Sequence, residues 1–211
     1  VKQKSNLTIY KNQRPLMKSE IFFNSEYLFP KKSLGQNFLI DPNILGKISN
    51  IDKEISSYPI LEVGPGYGAM TKSLLSNGAK KLLAIEKDPR FTNSLNKIKS
   101  TYPKNFDFII ADALEFDHTS LLGKDVKIFS NLPYNIATRL LVKWLKGNLR
   151  SVKWRTLTLM FQKEVADRII SKSGAKNYSR LAVLTQLFSD ANQKFNIPKN
   201  CFRPKPKVMS S

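Results

Sequence analysis

Five short apolar runs constrain this chain more than any other feature. They fall within "PILEVG" (59–64), "KLLAIE" (81–86), "FDFII" (106–110), "DVKIFSN" (125–131) and "WRTLTLM" (154–160). Each is too short for a buried helix and rich in large apolar residues, so each reads as a buried strand. Helical patterns lie between them. "AMTKSLLSNG" (69–78) is a short helix closed by Gly78. "DPRFTNSLNKIKS" (88–100) offers Asp88 as a cap and Pro89 at the first helical position. "IATRLLVKWLKG" (136–147) places Ile136, Leu140, Leu141, Trp144 and Leu145 on one face. "KEVADRIIS" (163–171) reads as another helix, and the first half of "RLAVLTQLFSDANQKFNI" (180–197) is strand-like in apolar content. Strand alternating with helix implies βαβ units: an α/β fold with a mostly parallel sheet and helices on both faces. Such sheets bind ligands beyond the carboxyl ends of their strands. Residues 1–30 follow no clear period and read as a loosely ordered N-terminal extension.

Charge narrows the class of partner. The net charge is +19, but residues 36–138 hold 12 Lys/Arg against 11 Asp/Glu, whereas residues 139–211 hold 16 against 3. A basic flank beside a nearly neutral fold suggests a polyanion, most often nucleic acid. One cysteine, Cys201, excludes an internal disulfide and points to a reducing compartment. With His118 as the one histidine, no zinc cluster or Cys–His dyad is expected. No apolar run approaches the roughly 20 residues of a membrane helix, so a soluble, cytoplasmic protein is expected.

The strand ends carry the candidate chemistry. "LEVGPGYGAM" sets Gly64, Gly66 and Gly68 after the first run, and Glu86 ends the second. Glycines let backbone approach a ligand closely, and a carboxylate at the next strand end can accept ribose hydroxyls. An ordinary Gly-rich turn explains the glycines alone; Glu86 makes a nucleoside-containing cofactor the better reading. The glycine spacing is not the dinucleotide fingerprint, and Glu62 would repel a pyrophosphate while tolerating a cationic ligand. An NAD oxidoreductase is therefore disfavoured. Asp112 could accept an adenine amino group beside Ala113 and Leu114, or simply cap a turn. In "NLPYN" (131–135), Asn131 offers an amide acceptor. Pro133 stiffens the turn, Leu132 is held extended so that a main-chain carbonyl can face the cleft, and Tyr134 supplies a stacking face. Two acceptors beside a ring suit a planar amine. "PKNCFRPKPKVMSS" (198–211) places Phe202 among Arg203, Lys205 and Lys207, which could bind phosphates.

These motifs resemble, in order, those of the ribosomal RNA adenine dimethyltransferases: "SLGQNFLID" (33–41), "LEVGPGYGAMT" (61–71), "AIEKD" (84–88), "ADAL" (111–114), "NLPYN" (131–135), "FQKEVADR" (161–168), "YSRLAVLTQ" (178–186) and "FRPKPKV" (202–208). The resemblance implies a Rossmann-like, S-adenosylmethionine-dependent methyltransferase fold. It implies dimethylation of two adjacent adenosines near the 3′ end of small-subunit ribosomal RNA, with S-adenosylhomocysteine as product. The partner would be that RNA, or a pre-assembled small subunit, and the protein a monomer. By position, Gln36, Asn37, Leu39, Glu62, Gly64, Gly66, Gly68, Glu86, Lys87, Asp112, Ala113 and Asn131 would bind cofactor. Tyr134 and Phe202 would sandwich a flipped adenine. Asn131 and the Leu132 or Pro133 carbonyl would accept from its 6-amino group, and Arg203, Lys205 and Lys207 would bind RNA. The catalytic domain is expected over residues 31–211. The family continues after "PKV" with Asp-Ser, a last strand and a helical domain. Here Met209 stands in place of that Asp, and the last strand and helical domain are expected to be absent from this chain, which would then bind cofactor yet methylate poorly. Two other readings are related resistance methyltransferases acting on large-subunit RNA and a noncatalytic RNA-binding factor on the same fold.

Overall fold

A computed structural model describes residues 29–147 and 154–211. The expected extension, residues 1–30, thus lies almost wholly outside the described residues. The five apolar runs become parallel strands: β2 (Ile60–Val63), β3 (Leu82–Glu86), β4 (Phe106–Ile110), β5 (Val126–Asn131) and β6 (Trp154–Met160), in the order β4-β3-β2-β5-β6. The order reverses at β2, with β3 on one side and β5 on the other. A separate antiparallel pair joins β1 (Phe38–Leu39) to β7 (Phe202–Arg203), with Leu39 opposite Phe202.

Strand alternation explains the layers, because successive side chains leave opposite faces. Ile60, Leu82, Ala84 and Phe129 join one buried cluster with Leu45 and Ile48 of α1 (Pro42–Ser49), Leu74 of α2 (Ala69–Ser76) and Leu95 and Ile98 of α3 (Thr92–Thr101). Leu61, Leu83, Ile85 and Ile128 join a second with Leu122 of α4 (Thr119–Leu122), Leu140 and Leu145 of α5 (Ala137–Gly147) and Ile169 of α6 (Lys163–Ile169). Two-sided burial is why β2, β3 and β5 read as apolar runs; the edge strands β4 and β6, expected to be buried, are partly exposed because each has a strand neighbour on one side alone.

Local signals also hold. Asp88 caps a 3-10 turn, Pro89–Phe91, that opens directly into α3, and its carboxylate accepts from the Arg90 amide. Residues 180–188 depart from expectation: they form α7 (Arg180–Phe188), a helix and not a strand. Leu181, Leu184 and Phe188 face the second cluster at helical spacing. Val183 and Leu187 are exposed, which made the run look uniformly apolar. Past the end of β6, Phe161 exchanges two antiparallel backbone hydrogen bonds with Ser211, at 2.9 and 2.8 Å.

Candidate functional site: a cleft at the switch point

The carboxyl ends of β2, β3 and β5 converge on one cleft, closed on another side by residues 33–40. Gly66 shows why its loop needs glycine. Its φ is +55°, and an added Cβ would lie 3.0 Å from the Phe38 ring. Its amide donates to Glu86 Oε2 at 2.9 Å, while the Asp88 amide donates to Oε1 at 2.8 Å. Both carboxylate oxygens of Glu86 are thereby aimed by main chain. Burial raises the Glu86 carboxyl above its ordinary range, opposed by those two amides.

Glu62 lies fully buried behind the turn. Thr71 Oγ1 donates to its Oε2 at 2.6 Å, and among the described residues its Oε1 is a buried polar atom with no partner. Burial pushes the Glu62 carboxyl up to about 8, helped by the Glu86 charge and opposed by Thr71. A buried carboxyl with one free oxygen in a cleft wall suits a cationic ligand group.

Asp112 reaches the cleft as expected, but it is engaged twice. Lys87 Nζ lies 2.6 Å from its Oδ2, and its Oδ1 accepts from the Leu114 amide at 2.9 Å. The lysine contact holds its carboxyl below the usual range. The loop it opens is fixed by Lys143 of α5, whose ammonium donates to the carbonyls of Ala113, Leu114 and Phe116 at 3.1, 2.6 and 3.0 Å.

The end of β5 explains its polar residues. Ser130 Oγ donates to the Val63 carbonyl at 2.5 Å, tying β5 to β2 beside the glycine turn. Asn131 Nδ2 donates to the Asn37 carbonyl at 2.9 Å, which commits one of its two N–H groups to the protein and orients the amide, whose oxygen is an acceptor. The Pro133 carbonyl already accepts from the Ile136 and Ala137 amides at 3.1 and 3.0 Å. Of the two carbonyls expected to serve a planar amine, the helix start consumes Pro133 and leaves Leu132. Tyr134 lines the cleft, half-buried.

The structure places Gly68 and Phe202 away from the cleft, and it engages the Gln36 amide within the protein. Gly68 does not line the cleft; it stands at the start of α2 with φ +77°, where a Cβ would lie 2.1 Å from Ile98 Cδ1. Its role is helix packing. Gln36 lines the cleft, yet its amide is committed to protein: Nε2 donates to Asp88 Oδ2 at 3.0 Å and Oε1 accepts from the Lys31 amide at 2.8 Å. Asp88 also takes the Arg90 guanidinium at 2.6 Å, and this latch fastens the N-terminal wall to the end of β3. Phe202 does not reach the cleft opposite Tyr134. It is 2% exposed, buried in the first cluster where it pairs with Leu39. Arg203, Lys205 and Lys207 are exposed, as phosphate contacts require.

Sequence reasoning did not single out Thr71, Ser130 or Ser210 for the site, and gave Asp88 a capping role alone. Ser130, a polar residue closing an apolar strand, was the one legible signal among them. Among the described residues no His/Cys/Asp/Glu group could hold a metal ion, and no helix is long and apolar enough to cross a membrane.

A parallel sheet reversing at β2, with acidic strand ends around a glycine turn, defines the class: an α/β fold of the methyltransferase type. Residues 29–211 match the ribosomal RNA adenine dimethylase family, and the chain belongs to it. It is 48% identical over 184 residues to the ribosomal RNA small subunit methyltransferase A of Dinoroseobacter shibae, covering 87% of this chain and 66% of that protein. The Roseobacter denitrificans protein of the same name is 45% identical with the same coverage. This chain therefore spans just under two thirds of those relatives. Among solved structures it is similar to a dimethyladenosine transferase from Plasmodium falciparum, with TM-score 0.66, 31% identity and 81% of this chain and 59% of that one covered. It is similar also to the 23S rRNA methyltransferase ErmE, with TM-score 0.70, 28% identity and coverage of 82% and 67%.

Proposed function

We propose that this chain transfers methyl groups from S-adenosylmethionine to the 6-amino groups of two adjacent adenosines near the 3′ end of small-subunit ribosomal RNA, as a cytoplasmic monomer. The observation that carries this reading is that Asn131, Leu132 and Tyr134 line one wall of the Glu62–Glu86 cleft, with Asn131 oriented by the Asn37 carbonyl and the Pro133 carbonyl taken by the helix start; Asn131 Oδ1 and the Leu132 carbonyl would then serve as the two acceptors. The cleft fits the cofactor on its own chemistry. Glu86, aimed by two amides, suits ribose hydroxyls. The unpartnered Glu62 Oε1 suits a cationic end, and Asp112 with Ala113 suits the adenine edge. When bound, S-adenosylmethionine supplies a methyl group on a positively charged sulfur.

The residues of the chain then have no strong base to provide. The 6-amino lone pair is delocalised into the ring and is a weak nucleophile. Acceptors on both of its N–H groups favour a pyramidal nitrogen with its lone pair directed at the incoming carbon. Alignment and exclusion of water supply most of the help. Exposed Arg203, Lys205 and Lys207 would hold the RNA backbone.

The test is methyl incorporation into small ribosomal subunits, with the modified adenines mapped by mass spectrometry. Two adjacent dimethyladenosines are expected, and none with Asn131→Ala, while cofactor affinity measured by calorimetry falls only modestly. Unchanged turnover in that variant sinks the assignment of Asn131. Similarity to ErmE favours one second reading, methylation of large-subunit RNA; modified adenine found only in that RNA would establish it instead.

A further inference from the structure

The segment that follows Phe202 is fastened at both ends to the loop that carries Asn131 and Tyr134. At one end, β7 pairs with β1, next to Asn37, whose carbonyl accepts from Asn131 Nδ2. At the other end, Ser210 Oγ shares a hydrogen bond of 2.8 Å with Tyr134 Oη. Ser210 is fully buried. Its main chain is held by Ile197, whose amide donates to the Ser210 carbonyl at 2.8 Å, with the reverse bond at 3.3 Å. Its neighbours are held too: the Lys163 amide donates to the Met209 carbonyl at 2.9 Å. Between the two fastenings Arg203, Lys205 and Lys207 face solvent.

We propose that Ser210 is a positioning residue that sets the Tyr134 ring for the target base and couples it to the basic strap 203–207. This rests on the methyl-transfer reading above. Tyr134 rotates about two side-chain bonds, and the cleft leaves it half-buried. A hydrogen bond at its far end, to a hydroxyl whose main chain is held by Ile197, fixes the first of those torsions, and with it the place where the ring stands. The ring is then held at one position in the cleft wall before RNA arrives. Phosphates held by the strap are placed relative to the same anchor, so backbone contact and base stacking share one frame. Burial raises the Tyr134 phenol above its ordinary value, so the proton needed for this bond stays on through the neutral range.

The test compares Ser210→Ala, Tyr134→Phe and the double variant, using small-subunit particles at saturating cofactor. Each single variant is expected to lower kcat about five- to tenfold, the effect of one lost hydrogen bond. The double variant is expected to be no worse than either. Cofactor affinity by calorimetry stays within about twofold. A target-site RNA oligonucleotide with 2-aminopurine in place of the adenine is quenched less by Ser210→Ala than by the parent protein. Effects that multiply in the double variant overturn the proposal, because a serine serving only the backbone bridge would act independently of Tyr134. Parent-like turnover in Tyr134→Phe overturns it even where Ser210→Ala does not fold. A parent protein that methylates no ribosomal adenine fails the underlying reading, and the proposal falls with it.

Discussion

Two buried ionisable side chains lie towards opposite ends of the same sheet, and they differ in how far they are satisfied. Lys127 opens β5 and is 1% exposed; Glu62 in β2 is 0% exposed. Lys127 is fully satisfied. Its ammonium lies 2.6 Å from Asp52 Oδ2, donates to the Glu54 carbonyl at 2.9 Å and stands 5.0 Å from the Tyr58 ring centroid. Glu62 is half satisfied, with Oε2 bound by Thr71 and Oε1 alone. Burial of an ionisable group therefore does not by itself mark the working end of this fold. The unpartnered atom does, because leaving it dry costs stability unless a ligand completes it.

The largest expected effect breaks the satisfied end. Lys127→Met strands Asp52 and should cost about 3–5 kcal/mol in urea unfolding. Cofactor affinity of the folded fraction should not change; a loss there would mean that the two ends are not independent.

Glu62→Gln sharpens the contrast through pH. With its carboxyl raised from 4.5 to about 8, folded Glu62 keeps a proton that the unfolded chain has released. The stabilisation is thus complete below about 4.5 and is lost as pH rises to about 8, with a slope approaching ~1.4 kcal/mol per pH unit. Glu62→Gln should flatten that part of the profile and leave the Lys127 end untouched. Equal profiles for parent and variant would contradict the raised value.

The same carboxyl should make cofactor binding release protons near pH 7, since a cation beside it favours the carboxylate. Binding enthalpy would then depend on the buffer, and Glu62→Gln would abolish that dependence while weakening affinity about tenfold. Heat independent of buffer would place the cation elsewhere. The smallest effect belongs to Thr71→Val, which removes the side-chain hydrogen bond on Glu62. About 1 kcal/mol is expected by thermal or urea unfolding, with the pH profile of stability moved towards higher pH.

Much of the site is legible in the sequence because it sits where strands stop. Gly64, Glu86, Asp112 and Asn131 each close or follow an apolar run, Glu62 stands one residue before the end of β2, and a parallel sheet brings such positions to one edge. Gln36, Gly68, Phe202 and Pro133 are engaged within the protein for one shared reason. Their residue types are compatible with a ligand, but the partner that claims each lies far along the chain or in the next turn: Asp88 for Gln36, Ile98 for Gly68, Leu39 for Phe202, the start of α5 for Pro133. Residues 180–188 were misread because apolar residues on an exposed helix face blurred the helical period.

By itself the sequence determined the five strands, the helices between them, the acidic and glycine positions at or near the strand ends, and the basic last third. These follow from local periodicity and composition, which act over a few residues. Only the tertiary structure decided which polar atoms stay free. It spent one Asn131 N–H on Asn37, the Gln36 amide on Asp88 and the Tyr134 hydroxyl on Ser210, and it left Glu62 Oε1 without a partner. The reason is that a side chain's hydrogen-bonding capacity is fixed by its type, whereas its satisfaction depends on groups brought close by folding.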